Sequence, residues 1–338
     1  MNTRLIGLAL LVLGTQCWAQ VGGLYNADVT EKTSVSDPAR IIKALEGPWL
    51  AFNIPAMDGM TSPCCWKGKW NGVGEAGCSL DSDHQSYGSR SDAPVDNNVI
   101  VLSRIVGGKV VDMRVVGESC PVDAAGARVT WIGDVVETDG LDWLEHVARS
   151  DQDHAALHAM AVHRGKEAGQ RLFKLAKNND GDLSGDAIFW LGHSRGQQGY
   201  SLLKTLLAEL PNGENRRQIN FALSQNSSPE AVQLLHEISQ SDNDPEQRGE
   251  AMFWLSQEHP ARAREWLIEL LETEQDSDVL EMAVFAISQL PDGDGDALLL
   301  ELAKDTRQPR SVRKQAIFWL AQSESDDSVA LLSKLLTK

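Results

Sequence analysis

The chain is short of basic charge: its 338 residues carry 31 Lys and Arg against 48 Asp and Glu, a formal net charge of −17. A nucleic-acid binder of the usual basic kind is thereby excluded, and attraction to anionic membranes with it, because both surfaces repel an acidic chain. Long apolar runs are also missing. Beyond residue 20 no stretch approaches the ~18 continuous apolar residues of a membrane helix. Cysteine is scarce, with five residues, and none are arranged as two separated Cys-x-x-Cys knuckles of a zinc fold. What remains is ordinary for a packed protein, 42% apolar and 23% charged. At roughly 150 residues per domain, the length allows about two domains.

The N-terminus reads as a targeting segment. Arg4 gives a positive start, Leu5 to Gly14 an apolar run, and Cys17-Trp18-Ala19 places small residues where a signal peptidase reads. The expectation is a signal peptide over 1–19 and a periplasmic or secreted mature chain. Export makes disulfides the expected state of Cys64, Cys65, Cys78 and Cys120. Four cysteines allow three pairings. A bridge between neighbours 64 and 65 needs a strained eight-membered ring, so each of that pair is expected to reach Cys78 or Cys120.

Two halves differ in period. Residues 20–47 read as a flexible lead-in followed by one short helix from Ser36 to Gly47, with a cap, an early Pro and a closing Gly. Over 48–149 short strands dominate: Trp49 to Ile54, Asn98 to Val106, Lys109 to Val116 and Val129 to Ile132, with Gly107-Gly108 as a two-residue hairpin signal. The Gly-, Ser- and Asp-rich stretch 56–97 reads as an extended loop held by bridges. From about 150 one segment recurs. Ala187-Ile-Phe-Trp-Leu191, Asn220-Phe-Ala-Leu223, Ala251-Met-Phe-Trp-Leu255, Ala283-Val-Phe-Ala-Ile287 and Ala316-Ile-Phe-Trp-Leu320 place Phe at 189, 221, 253, 285 and 318, and a diverged copy sits at Ala156 to Met160. A polar turn and a second amphipathic run follow each copy, so each unit is a helical hairpin.

One hairpin cannot bury both its ridges, so neighbours must stack into an α-solenoid. The period, the two-helix unit and the Ala-x-Phe-Trp-Leu ridge resemble bacterial HEAT-like repeat proteins over about 150–338. That resemblance implies a protein-binding scaffold, and in some members a chromophore lyase. The fold class expected is α+β: a small β-rich, disulfide-containing domain followed by about six HEAT-like repeats. The tryptophans 190, 254 and 319 recur with the period and are expected to pack as ridges rather than as a binding cage.

Other motifs suggest chemistry, and their contexts argue against it. Gly192-His-Ser-Arg-Gly196 spells the nucleophile elbow of an α/β-hydrolase, yet Ser194 falls at a helix end of the repeat, with no strand before it. Asp180-Gly-Asp182-Leu-Ser-Gly-Asp186 resembles the start of a calcium loop, but its twelfth position is Leu191 where a bidentate Glu belongs. His154 and His158, four apart, could ligate zinc from one helix face. These two residues, with Asp180 and Asp182, are weak metal candidates, and no metal or cofactor is expected. Asn226-Ser-Ser228 spells a glycosylation acceptor.

The function expected is an exported, non-enzymatic scaffold or adaptor that binds a protein on its acidic curved surface, presented by stacked second helices. Residues 151–338 hold 19 Lys and Arg against 30 Asp and Glu, a net −11, which favours a basic or amide-rich partner. The alternatives are a redox-responsive sensor built on the vicinal Cys64-Cys65 pair and, last, a hydrolase through Ser194 or a HEAT-like lyase.

Overall fold

A computed structural model describes residues 21–67, 75–82, 86–88, 96–150, 155–178, 181–211, 213–291 and 294–323. The expected signal segment, Cys17, His154 and Asp180 lie outside them. In chain order the first part comprises β1 (Leu24–Tyr25), β2 (Asp28–Glu31), α1 (Pro38–Ile41), β3 (Trp49–Pro55), β4 (Cys64–Lys67), β5 (Glu75–Ala76), β6 (Cys78–Ser79), β7 (Ser86–Gly88), β8 (Asn98–Val106), β9 (Lys109–Gly117), β10 (Val122–Asp123), β11 (Arg128–Asp134) and α2 (Glu137–Ser150).

Five strands form the central sheet in the order β2-β11-β3-β8-β9, parallel across β2-β11-β3 and antiparallel across β3-β8-β9. Period-two alternation divides its side chains between two cores. Leu50, Phe52, Ile54, Val99, Val101 and Val115 face α1, α2 and the repeats, while Trp49, Ala51, Ile100, Leu102 and Val116 face the cysteines. Gly107 and Gly108 sit at φ +60° and +81°, the left-handed conformation that a tight β8–β9 hairpin requires. Asp37 caps α1 through the Ala39 amide, with Pro38 in the first turn, and a 3-10 turn at Ile42–Ala44 completes the short helix that the sequence suggested.

Two expectations are corrected. The lead-in is not featureless, because β2 pairs in parallel with β11, and β1 pairs with β10 in a small sheet ordered β1-β10-β6. Within 56–97 the chain forms β4 to β7 rather than a plain loop. The disulfides join Cys64 to Cys120 and Cys65 to Cys78. Buried Arg114, stacked over Trp49 at 5.6 Å, donates to the Ser79 and Ser82 carbonyls and to Asp112, fastening the bridged layer onto the sheet.

The repeats follow as α3 (Ala155–Val162) with α4 (Lys166–Lys177), α5 (Asp182–Ser194) with α6 (Gly196–Glu209), α7 (Glu214–Ser224) with α8 (Pro229–Ser241), α9 (Pro245–Glu258) with α10 (Pro260–Thr273), α11 (Ser277–Ser288) with α12 (Asp294–Lys304), and α13 (Arg310–Gln322). Among the described residues, five complete hairpins and the first helix of a sixth make the α-solenoid. A clasp repeats with the period. Arg216 donates to both oxygens of Asp242 at 3.2 and 2.7 Å, and Arg248, 32 residues on, does the same to Glu274 at 2.7 and 3.2 Å, tying the start of a first helix to the end of its second. Burial is the largest single effect and opposes ionisation of both carboxylates, but the arginine hydrogen bonds, the backbone N–H donors and the arginine charges together outweigh it and lower both.

Successive first helices pack against one another from α3 to α13, whereas among the second helices of the described residues only α4 and α6 are in substantial contact. A row close-spaced on one side and splayed on the other curves toward the close side, so the first helices line the inner face. Sheet and solenoid share one hydrophobic core. They are also joined through the backbone: Met57 N donates to Val162 O (2.9 Å), Arg164 N to Pro55 O (2.8 Å), and Ala56 bridges His163.

Candidate functional site: an aromatic inner face and the cleft at its end

The core side of each first helix is aliphatic, as in Ala187, Ile188 and Leu191, all fully buried. The Phe and Trp one step round the helix are half-buried, and Phe318 is exposed. The tryptophans thus pack on the core as expected, yet each keeps a face toward solvent. Each sits over a ring of the preceding unit: Trp190 over His158 at 4.5 Å, Trp254 over Phe221 at 4.5 Å and Trp319 over Phe285 at 5.1 Å. Phe189 stacks on Phe221 (5.9 Å) and Phe253 on Phe285 (5.5 Å), and each Trp meets its neighbouring Phe edge-on at 5.1 Å. The rings form an unbroken ladder from His158 to Phe318. Four residues past each Phe comes a polar row, His193, Gln225, Gln257, Gln289 and Gln322, exposed except for half-buried Gln225. Arg217 reaches Glu246 and Glu250, and Gln315 reaches Glu281, so polar pairs link adjacent inner helices.

At its N-terminal end the ladder runs into a cleft of about 610 Å³ beneath the segment 57–63. Its walls include Met57, Met60, His158, Trp190, His193 and Ser194. Burial, and then the nearby His193, push the His158 imidazole down to about 4, and partial burial of its ring also lowers His193. His163 is not part of this wall. It is 2% exposed, its Nδ1 accepts from Gly165 N at 2.9 Å, and burial with the charges of Arg195 and Arg164 lowers it to about 4.

The remaining candidates separate. Cys64, Cys65, Cys78 and Cys120 are all buried inside disulfides, which shields their sulfurs from an attacking thiol, and the two bridges adjoin, with the Cys78 and Cys120 sulfurs 3.9 Å apart. Asp182 is exposed at the first residue of α5, so the calcium-like motif becomes helix at its third position and cannot wrap an ion. Asp180, its partner in that idea, and His154, the partner of His158 in the zinc idea, lie outside the described residues. Ser194 closes α5, with no strand before it, and among the described residues its hydroxyl makes no hydrogen bond to an imidazole. The motif's Gly192 serves packing: a Cβ there would lie 2.1 Å from the Ala222 carbonyl oxygen. Its Arg195 is buried and donates to the carbonyls of Ala161, His163 and Gly165. Asn226 is also buried, its amide donating to the Gly192 and Gly196 carbonyls, which removes it as a glycan acceptor in the folded chain.

No protein-family model matches the chain, and no curated protein matches its sequence. Among solved structures it is similar to the complex of CpcE and CpcF of phycocyanin lyase from Nostoc sp., at 20% identity over 47% of this chain and 100% of that one, with a TM-score of 0.33. Human deoxyhypusine hydroxylase is similar at 16% identity over 58% of this chain and 77% of that one, with a TM-score of 0.26. The expectation that this chain is not an enzyme is corrected by what they are, a lyase and a hydroxylase. A repeat scaffold gives no ground for excluding enzyme chemistry, and at these scores the likeness names no reaction for this chain. Among the described residues no helix is long and apolar enough to cross a membrane.

Proposed function

We propose that the chain is an exported protein-binding repeat protein that holds an extended segment of its partner along the inner face of the solenoid. The observation that carries this reading is the unbroken, half-exposed ring ladder. Rigid aromatic faces supply apolar contact at low cost in side-chain entropy, and the parallel amide row offers donors and acceptors to a peptide main chain. The face used therefore differs from the stacked second helices suggested by the sequence. The net −11 of the repeats favours a basic or amide-rich segment, whose Lys or Arg groups would lie over the rings beside Glu250 and Glu281. Export belongs to the same proposal, supported by the N-terminal pattern and by the two disulfides.

The test compares parent and Phe253→Ser/Trp254→Ser proteins, each tagged and crosslinked at low salt in the native periplasm. A stoichiometric protein held by the parent and lost by the variant is the expected result, with the hold weakening as salt rises. Equal capture by both refutes the inner-face reading.

A further inference from the structure

The cleft at the end of the ladder has a chemistry of its own. Its upper wall is a tight turn: Met60 N donates to Met57 O at 3.2 Å, and Gly59 takes φ +74°, which the third position of a type II turn demands. Such a turn brings its first and fourth residues close together, and here both are methionines that line the cleft. Asp58, between them, also lines the cleft; its carboxylate is exposed and pairs with Arg164 at 3.1 Å.

The opposite wall is where the repeat departs from its own pattern. The slot filled by Phe in the five later units holds His158 in the first, and the slot filled by Gln225, Gln257, Gln289 and Gln322 holds His193 in the second. Both departures introduce imidazoles, and both face the same cleft. Among the described residues neither ring is hydrogen-bonded; they are held by stacking instead, His158 on Trp190 and His193 on Phe189 at 5.2 Å. Stacking uses the ring faces and leaves the nitrogen lone pairs at the edges.

Two thioethers, two imidazoles and an indole line one cavity with the exposed Asp58 carboxylate, which pairs with Arg164, and the hydroxyl residues Thr61, Ser194 and Ser227; the two sulfurs and two imidazoles are its soft and borderline donors. Thioether sulfur binds hard divalent ions poorly and binds copper(I) well, while imidazole suits copper in either state. We propose that this cleft is a binding site for copper(I), with Met57, Met60, His158 and His193 as ligands and Trp190 as its apolar wall. At about 610 Å³ the cavity is wider than one coordination sphere, so ligation draws the Met57–Met60 turn down onto α3 and α5. The proposal is independent of partner binding, since it uses the end of the ladder and not its length.

The test is an anaerobic titration of the mature protein, disulfides intact, with copper(I) against a chromophoric copper(I) chelator, and in parallel with silver(I), a redox-inert ion of similar softness. Four variants accompany it: Met57→Leu, Met60→Leu, His158→Phe and His193→Gln. The last two restore residues that other units carry in those slots, and the first two keep side-chain volume, so all four retain the fold. The expected result is one equivalent of either ion, with affinity falling in every variant by at least the about 10- to 100-fold that loss of an outer-sphere partner causes. No binding, affinity unchanged in the four variants, or displacement of copper(I) by equimolar zinc(II) overturns the proposal.

Discussion

Removing the two disulfides one at a time should destabilise the chain by different amounts, in an order fixed by loop length. Cys64–Cys120 closes a separation of 56 residues and Cys65–Cys78 one of 13. On the chain-entropy account the unfolded ensemble gains freedom worth about 4 kcal/mol when the longer loop is opened and about 3 kcal/mol for the shorter. The layer these bridges hold has little else: β1, β5, β6 and β10 are two residues each, too short to stand as sheets alone. Its apolar residues form their own cluster around the sulfurs, with Cys65 and Cys78 fully buried. Cys64→Ala/Cys120→Ala and Cys65→Ala/Cys78→Ala proteins, unfolded in urea at pH 7, should both lose stability, the first by more. Either variant matching the parent, or the short-loop variant losing more, would refute the reasoning, because strain or residual structure and not loop closure would then set the effect.

Acid should weaken the fold through His163. Its folded-state value near 4 lies below the ordinary 6.5, so the unfolded chain binds the extra proton first; no stability is lost above about pH 7, and about 2 kcal/mol goes between pH 7 and 5 from this residue. A urea midpoint measured at both pH values should fall in the parent and fall less in His163→Gln. Arg195→Met should cost about 3 kcal/mol or more, since it leaves the Ala161, His163 and Gly165 carbonyls without their shared buried donor, and a thermal melt would register it. Ser194→Ala should leave the melting temperature unchanged, whereas Gly192→Ala should lower it by forcing α5 away from α7; the reverse order would revive the serine as a residue of special standing. Arg248→Met should be costlier than Arg307→Met, because the first leaves the half-buried Glu274 unpaired and the second frees a side chain 89% exposed.

The solenoid was legible because Phe recurs every 32 or 33 residues, and the strands β3, β8, β9 and β11 because their residues alternate between two cores. Less of the rest was readable. The strands β1 and β2 are short, polar edges recruited by parallel pairing with distant segments, which leaves no local period. Helix α2, with Leu141, Trp143, Leu144 and Val147 on the sheet, lay between two patterns and matched neither. The spacing of cysteines excluded a vicinal bridge but could not choose between the two remaining pairings, since that depends on which loop crosses the sheet. The ladder's residues were visible while their exposure was not, because a two-helix period does not say which helix lies inside the curve. His158 and His193 were available as departures from repeat slots, but their meeting at one cleft needed the Met57–Met60 turn, which comes from the other half of the chain.

The central claim is that a partner lies along the inner face, and a photo-crosslinking amino acid placed singly at two positions tests it most directly. Gln257 stands in the amide row beside the ladder, and Glu269 stands on the outer helix α10, exposed and 12 residues away in sequence. Irradiation in the native host should give a discrete adduct from position 257 that is absent from 269, and Phe253→Ser/Trp254→Ser should abolish it. An adduct from 269 alone, or one from 257 that survives loss of the rings, would contradict the account.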